Sequence, residues 1–299
     1  MKRSNSVVST MAIVFGLLAM AGWSAALAGT VFTDNFTTDS SLGSEWYNMS
    51  NTTAASFALN PTAGQGLALT VSAGTGKVNE EFAQFAVSPI SLAVGDSISL
   101  VVNFNAASGM ATDTGGLLAG LYNTQGTVAT GGELTTATGG ATADDKGYFG
   151  IMGYNTTAGT STKFYDRNGA AAAPNELGYY STIGASYYTQ LSSFAASGNA
   201  NLANSTAYTL TYTVLNNGGS DTITAVISQG ATQLDSWTTT DASGLYNSFD
   251  ELDFGSYGKA GPVNLNITSI SVLSSVPEPS IFAFAALGLL GFITRFRRR

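Results

Sequence analysis

Apolar and polar residues alternate with a period of two along most of the chain. Ile98, Leu100, Val102 and Phe104 fall on one side of a segment whose other side carries Ser97, Ser99, Val101 and Asn103. Tyr208, Leu210, Tyr212 and Val214 alternate with Thr209, Thr211 and Thr213, and Ile223, Ala225 and Ile227 repeat the pattern. Such alternation marks strands that are buried on one face and wet on the other. Helical periodicity is nearly absent from the middle of the chain. Residues 208–215 and 222–228 are joined by Asn216-Asn217-Gly218-Gly219-Ser220-Asp221. Asn and Gly accept the positive φ that tight reversals need, so the pair reads as a hairpin, and 233–239 extends it to a meander. Further strands are expected at 55–59, 66–71, 81–87, 116–122, 147–154, 251–256 and 263–272. In the last of these the apolar parity slips from odd (Val263, Leu265, Ile267) to even (Ile270, Val272). A bulge at Thr268-Ser269 would absorb the slip. The stretches 123–146 and 156–177, the latter with Pro174, read as long loops. Many short strands with glycine-rich turns predict an all-β fold, an antiparallel two-sheet β-sandwich.

Both ends break this alternation. Lys2 and Arg3 precede an apolar run from Met11 to Ala21, and Ala26-Leu27-Ala28 is a small-residue cleavage site. Residues 1–28 therefore read as a signal peptide for general secretion, with the mature chain starting at Gly29 after Ala28. At the other end, Pro277, Glu278 and Pro279 precede the uncharged run Ile281 to Thr294, and Arg295, Arg297, Arg298 and Arg299 close the chain. Proline removes a backbone donor and biases the residue before it toward extended geometry, so 276–280 is a stiff exposed spacer. The apolar run has 14 residues, short of the roughly 20 that span a bilayer core. Snorkelling arginines extend its reach, and they mark the cytoplasmic side. The alternative is a buried C-terminal helix of a soluble domain. A β-sandwich body at 29–275 lies between these two targeting segments.

The tail resembles the PEP-CTERM sorting signal of Gram-negative bacteria. Residues 276–299 carry the whole resemblance: the Pro277-Glu278-Pro279 motif, a hydrophobic transmembrane helix and an Arg-rich stop. It implies export through the inner membrane, membrane attachment by the C-terminal helix, and processing by exosortase, followed by residence at the cell surface or in the extracellular matrix. The body resembles, over a few residues at each end, the concanavalin A-like or laminin-G-like jelly roll. Phe32-Thr33-Asp34-Asn35-Phe36 with Trp46 is similar to the opening of such domains, and 249–254 with 264–272 to their last strand pair. An immunoglobulin-like sandwich is the rival.

Composition removes whole classes of chemistry. There is no cysteine and no histidine. Thiolate nucleophiles, iron–sulfur clusters, the Ser-His-Asp triad and His-ligated zinc are excluded. Six of the eleven basic residues lie in the two targeting segments, which leaves residues 29–279 with five basic against nineteen acidic residues, net −14. Such a chain repels nucleic acid and suits neutral polysaccharide or divalent cations.

Glu251-Leu252-Asp253-Phe254 resembles part of the catalytic strand of family 16 glycoside hydrolases. Alternation puts Glu251 and Asp253 on one face, as paired-carboxylate hydrolysis needs. The second Glu of that motif is missing, since Gly255 and Ser256 follow. The competing reading is the solvent-facing side of an outer strand. Glu80 and Glu81, being adjacent, point to opposite faces. Asp144, Asp145 and Asp166 are oxygen-only candidates for a structural calcium. No other cofactor is indicated. Trp46, Tyr180 and Tyr188 are candidate glycan contacts, one ring of each aromatic pair facing outward; the competing reading is ordinary strand tyrosine. The expectation is a non-catalytic, structural or glycan-associated exported protein, with exosortase, the secretion machinery and extracellular polysaccharide as partners. A polysaccharide hydrolase or lyase on the same scaffold and an adhesive protein without glycan affinity are the alternatives.

Overall fold

A computed structural model describes residues 29–39, 41–50, 56–59, 65–72, 74, 77–127, 132–134, 145–156, 160–168, 188–259 and 261–276. The signal peptide, the Pro277-Glu278-Pro279 motif and the terminal apolar and arginine-rich segments lie outside these residues. So do Tyr180 and Asp144. Thr30–Ser274 forms one compact unit; residues 1–29 and 275–299 make a second unit, of which only Gly29, Ser275 and Val276 are described.

The described chain runs through β1 (Gly29–Asp34), β2 (Trp46–Ser50), β3 (Ser56–Leu59), β4 (Leu67–Val71), β5 (Lys77–Gln84), β6 (Ile90–Ser91), β7 (Ser97–Ser108), β8 (Gly116–Asn123) and β9 (Gly132–Leu134). It continues through β10 (Lys146–Gly153), β11 (Thr162–Asn168), β12 (Tyr188–Phe194), β13 (Thr206–Asn216), β14 (Asp221–Gln229), β15 (Thr232–Asp241), β16 (Ser248–Phe249), β17 (Glu251–Gly258) and β18 (Val263–Ser274). Among the described residues the only helical element is a 3-10 turn at Ala196–Gly198. No described helix is long and apolar enough to cross a membrane.

Two large sheets result. The first is ordered β15-β14-β13-β7-β18-β4-β3, with β1 also on β18, and the second β12-β11-β10-β8-β17-β5-β2-β9. From β15 to β3 in the first sheet and from β12 to β2 in the second the described neighbours are antiparallel, and β2 runs parallel to β9. The hairpin read from the sequence is β13–β14, closed where Asn217 donates its N–H to the Ser220 carbonyl oxygen and Gly218 takes φ +84°. The slip in β18 is present as a register shift between Ile267 and Ser269 against β7.

Two long loops read from the sequence were too simple. β9 lies within 123–146, and β11 within 156–177. β11 alternates weakly because both of its faces are covered, with only Lys163 and the terminal Asn168 escaping burial, and a strand buried on both sides loses the alternation that reveals it. The strand expected at 81–87 begins and ends earlier, at Lys77 and Gln84. It stops there because Phe85 and Ala86 donate their N–H groups to the Asp250 carbonyl oxygen instead of to the ladder, leaving Val87 96 % exposed.

The core between the sheets comes from the alternating positions. Ile98, Leu100, Val102, Phe104, Leu210, Tyr212, Val214, Leu252 and Phe254 are buried. Phe104 meets Phe254 at 6.0 Å between ring centroids, and Tyr212 meets Phe164 at 6.2 Å, each pair joining one sheet to the other. The outer face of the second sheet is also apolar. Tyr47, Val78, Phe82, Leu118, Tyr122, Phe149, Ile151, Tyr165, Tyr188 and Tyr257 make a second buried cluster there.

Candidate functional site

Register fixes which side chains share that outer face. In β17, Leu252 and Phe254 point into the sandwich, so Glu251, Asp253 and Tyr257 point out of it. Glu251 lies opposite Tyr122 of β8 and Gln84 of β5; Asp253 lies opposite Gly120 and Phe82; Gly255 lies opposite Glu80. Tyr47 of β2 pairs with Phe82, and their rings stack at 5.2 Å and 12°. From the far margin, Arg167 of β11 pairs with Gly147, itself opposite Tyr122. The face thus gathers Glu80, Glu251, Asp253, Tyr47, Tyr122 and Arg167, with Tyr188 beside Arg167 on β12.

Glycines make this gathering possible. A Cβ on Gly120 would come within 2.6 Å of the Tyr122 ring and hydroxyl, so the ring lies over Gly120, toward Asp253 on the next strand. A Cβ on Gly255 would come within 2.7 Å of Glu80 Cγ, so the bare position makes room for that side chain.

All three carboxylates are 0 % exposed. The Tyr47 hydroxyl lies near the Glu251 carboxyl and Glu80 near that of Asp253, but the contacts fall outside normal hydrogen-bond geometry, and no well-formed hydrogen bond reaches the oxygens of Glu251 and Asp253 or the hydroxyls of Tyr47 and Tyr122. An orphaned buried polar group costs about 1–3 kcal/mol. Burial pushes the Glu251 carboxyl up to about 8, opposed by the nearby Tyr47 hydroxyl and Arg167 and reinforced by Asp250. Burial raises Asp253 well above the usual carboxylate range, and the charges of Glu80, Glu251 and Glu81 add to it. Tyr47 and Tyr122 are raised, chiefly by burial. Arg167 donates from Nε to the Asp145 carbonyl oxygen at 3.0 Å and from Nη1 to the Tyr188 hydroxyl at 3.3 Å, and its guanidinium lies 5.4 Å from the Tyr188 ring centroid.

Several expectations change. Glu251 and Asp253 share a face, as alternation requires, but β17 is a central strand covered on both sides, so the solvent-facing reading fails. Glu80 and Glu81 do point to opposite faces: Glu81 accepts from Asn48 Nδ2 at 2.8 Å within the sandwich, while Glu80 joins Asp253. No local pattern points to Glu80 in this role, because the contact depends on the pairing of β5 with β17. Trp46 and Tyr188 are only 3 % and 7 % exposed, so neither ring faces outward to solvent. Trp46 packs edge-on against Phe36 and donates its indole N–H to Asp34 at 2.6 Å. Among the described residues no group of three or more acidic side chains could hold a metal ion. Asp145 is buried, and Asp166 accepts the Thr189 N–H at 2.9 Å.

The acidity of the sequence is largely turned inward. Glu80, Glu81, Asp113, Asp145, Asp166, Asp221, Asp241, Asp250, Glu251 and Asp253 are each no more than 5 % exposed. Most of those at loop ends serve the backbone. Asp113 accepts from Gly115, Lys259 and Gly261, Asp241 from Ser243 and Gly244, and Asp250 from Thr124. The described charges that keep appreciable exposure are Asp34, Asp39, Glu45, Asp96 and Asp235 against Lys77, Lys146, Lys163 and Lys259. That surface is nearly neutral.

Residues 275–299 match the PEP-CTERM protein-sorting motif. No curated protein sequence matches the chain. Similar solved structures include the potassium-bound Emp46p carbohydrate recognition domain, 11 % identical over 82 % of this chain and 98 % of that one, with a TM-score of 0.47. Lectin II from Ulex europaeus is 10 % identical over 82 % and 99 %, at 0.46. Arcelin-5, a lectin-like defence protein from Phaseolus vulgaris, is 10 % identical over 81 % and 97 %, at 0.41.

Proposed function

We propose that the chain is an exported, exosortase-processed component of the cell surface or extracellular matrix, with a non-catalytic, glycan-associated role. The sorting motif supports export. In this reading the signal peptide delivers the chain to the secretion machinery, the C-terminal helix holds it in the inner membrane, and exosortase processes it there. The observation that carries the glycan-associated part is the hydroxyl-rich outer face of the first sheet, on a described surface whose exposed charges nearly balance. The first sheet turns Ser99, Thr209, Thr211, Thr213, Thr222 and Thr224 outward, all half-buried and uncharged. Hydroxyl and amide side chains exchange hydrogen bonds with a hydrated neutral polysaccharide, directly or through bridging water. Hydrolysis needs water beside paired carboxylates, and Glu251 and Asp253 are sealed from it, which favours a non-catalytic role.

Cosedimentation with insoluble neutral polysaccharide, followed by a reducing-sugar assay, tests the reading. Association without sugar release is expected, and failure to associate would overturn it. A second reading, a polysaccharide hydrolase, is favoured by one observation. Glu80 supplies beside Asp253 the third carboxylate that β17 lacks, while Glu251 keeps its proton to about 8, as a general acid would. Sugar release abolished by Glu251→Gln would establish that reading instead.

A further inference from the structure

We propose that Asp221 and Asp241 hold one proton between them and, with Tyr148, form a pH-sensitive latch that seats residues 242–247 and joins the two sheets at one end. The latch is built from facing strand positions. Asp221 of β14 lies directly opposite Asp241 of β15, and Tyr148 of β10 directly opposite Asp166 of β11. All four side chains are buried. The first pair belongs to one sheet and the second to the other, and they meet across the sandwich: the Tyr148 hydroxyl lies 2.7 Å from Asp221 Oδ2 and 3.1 Å from Asp241 Oδ2. Like charges directly opposite on neighbouring strands destabilise a sheet, and two carboxyl groups that share a buried site do not both ionise.

The hydrogen bonds do not balance if both carboxyls are ionised. The Tyr148 hydroxyl also lies 2.7 Å from the Gly244 carbonyl oxygen, and a phenol has a single hydrogen to give. It can serve only one of the two oxygens at 2.7 Å, and the other then confronts its lone pairs. One further proton removes the conflict. Asp241 is bound as an anion, since it accepts from the Ser243 N–H and hydroxyl and from the Gly244 N–H. Asp221 is met by one backbone donor, the Tyr246 N–H at 2.9 Å. The proton therefore resides on Asp221, which donates to the Tyr148 oxygen, and Tyr148 donates to Gly244. Apart from Tyr148, the side-chain oxygens of both aspartates are met from residues 242–247, so the same proton seats that loop against β10.

The surrounding titratable groups add to the effect. Asp166 and Asp241 flank Gly244, where an added Cβ would come within 2.8 Å of Asp166 Oδ2 and 3.3 Å of Asp241 Oδ2. Tyr246 packs edge-on against Tyr148 at 5.1 Å between ring centroids. Arg167, on the opposite face of β11, acts on Tyr246 as a charge. Burial raises Asp221 and the charge of Asp241 adds to it, while the hydrogen bonds from Ser243 and Gly244 lower Asp241 despite its burial. Tyr148 and Asp166 are raised, chiefly by burial. A carboxyl raised above its ordinary 3.8 in the folded chain contributes stability that is fully present below that value and lost as pH rises through the folded one. The latch is closed in acid and opens as pH rises, and Asp166 acts in the same sense.

Hydrogen exchange of residues 242–247 tests this, read by mass spectrometry on the full-length chain in detergent and corrected for the pH dependence of intrinsic exchange. Protection of the loop should fall about tenfold from pH 4 to pH 8, the worth of roughly one hydrogen bond, while β7, measured alongside, stays protected. Asp221→Asn places an N–H where the proton sits and cannot ionise, so it should keep the loop protected across the whole range. Tyr148→Phe should leave the loop exchanging at every pH as the parent does at pH 8. The inference is overturned if the parent loop does not respond to pH, or if Asp221→Asn follows the parent. It is overturned as well if calcium chloride restores protection at pH 8, since a metal ion and not a proton would then neutralise the pair. Should Tyr148→Phe misfold, Asp221→Asn against the parent decides alone.

Discussion

Glu251 and Tyr122 stand directly opposite each other on β17 and β8, both fully buried, and neither side chain is met by a hydrogen bond of normal geometry. The pair makes stability depend on pH in an unusual direction. An unfolded Glu251 releases its proton near 4.5, whereas the folded chain holds it to about 8. Within that window the native state binds a proton that the unfolded state has lost, so stability is fully present below about 4.5 and falls as pH rises to about 8. Asp253, Asp166, Asp221 and Asp250 are raised too, chiefly by burial, and act in the same sense, while Asp241 is lowered, the hydrogen bonds from Ser243 and Gly244 outweighing its burial, and acts against them. Thermal melts should give a higher Tm at pH 5 than at pH 8, and Glu251→Gln should flatten the slope. A Tm that rises between those values would contradict the burial of these acids.

Asp113 ties three segments together through one carboxylate. It accepts N–H groups of Gly115, Lys259 and Gly261 and the Tyr154 hydroxyl, at 2.6 to 3.1 Å. Asp113→Ala strands those donors and should cost about 3 kcal/mol, since hydrogen bonds to charged groups contribute about 1.5–3 kcal/mol each and do not add fully. Tyr154→Phe removes one of them and should cost about 1 kcal/mol. Urea denaturation of both variants against the parent measures the difference.

The bulge in β18 requires glycine opposite it. Gly66 takes φ +86°, and a Cβ there would run into the Ile267 carbonyl oxygen at the register shift. Gly66→Ala should destabilise by more than about 1 kcal/mol, because the backbone conformation and the clash act together. Gly126, at φ +84° with nothing within 4 Å of its added Cβ, serves as the comparison: Gly126→Ala meets the strained backbone alone and should cost less in the same denaturant assay.

Processing of the tail should depend on the stiff spacer before the apolar run. Replacing Pro277 and Pro279 by alanine restores helix-compatible backbone. The variant should accumulate at full length in the membrane fraction of cells that carry exosortase. Normal maturation, seen as an unchanged band on an immunoblot, would count against recognition of this motif.

Strand identity was legible wherever one face meets water, as in β7, β13 and β14, because polarity alternates there with the pleat. The parity slip between Ile267 and Ile270 even located the bulge. β11 was hidden because Phe164, Tyr165, Asp166 and Arg167 are all buried, and no alternation survives burial on both faces. The carboxylate gathering was half legible. Spacing placed Glu251 and Asp253 on one side of a strand, but their burial and the arrival of Glu80 depend on which strands lie next to β17. That is a property of long-range pairing, and local pattern carries no trace of it. Trp46 and Tyr188 were misjudged for a related reason, since an aromatic residue on a strand packs inward or outward according to what covers its sheet.

Ten carboxyl groups face inward, so a molecule that touches the described surface meets few carboxylates directly. Contact there strips little water from ionised groups, and dehydrating a charge is the costliest part of bringing two polar surfaces together. Neighbouring molecules can therefore come into contact with a small dehydration penalty, whatever net charge the folded chain retains.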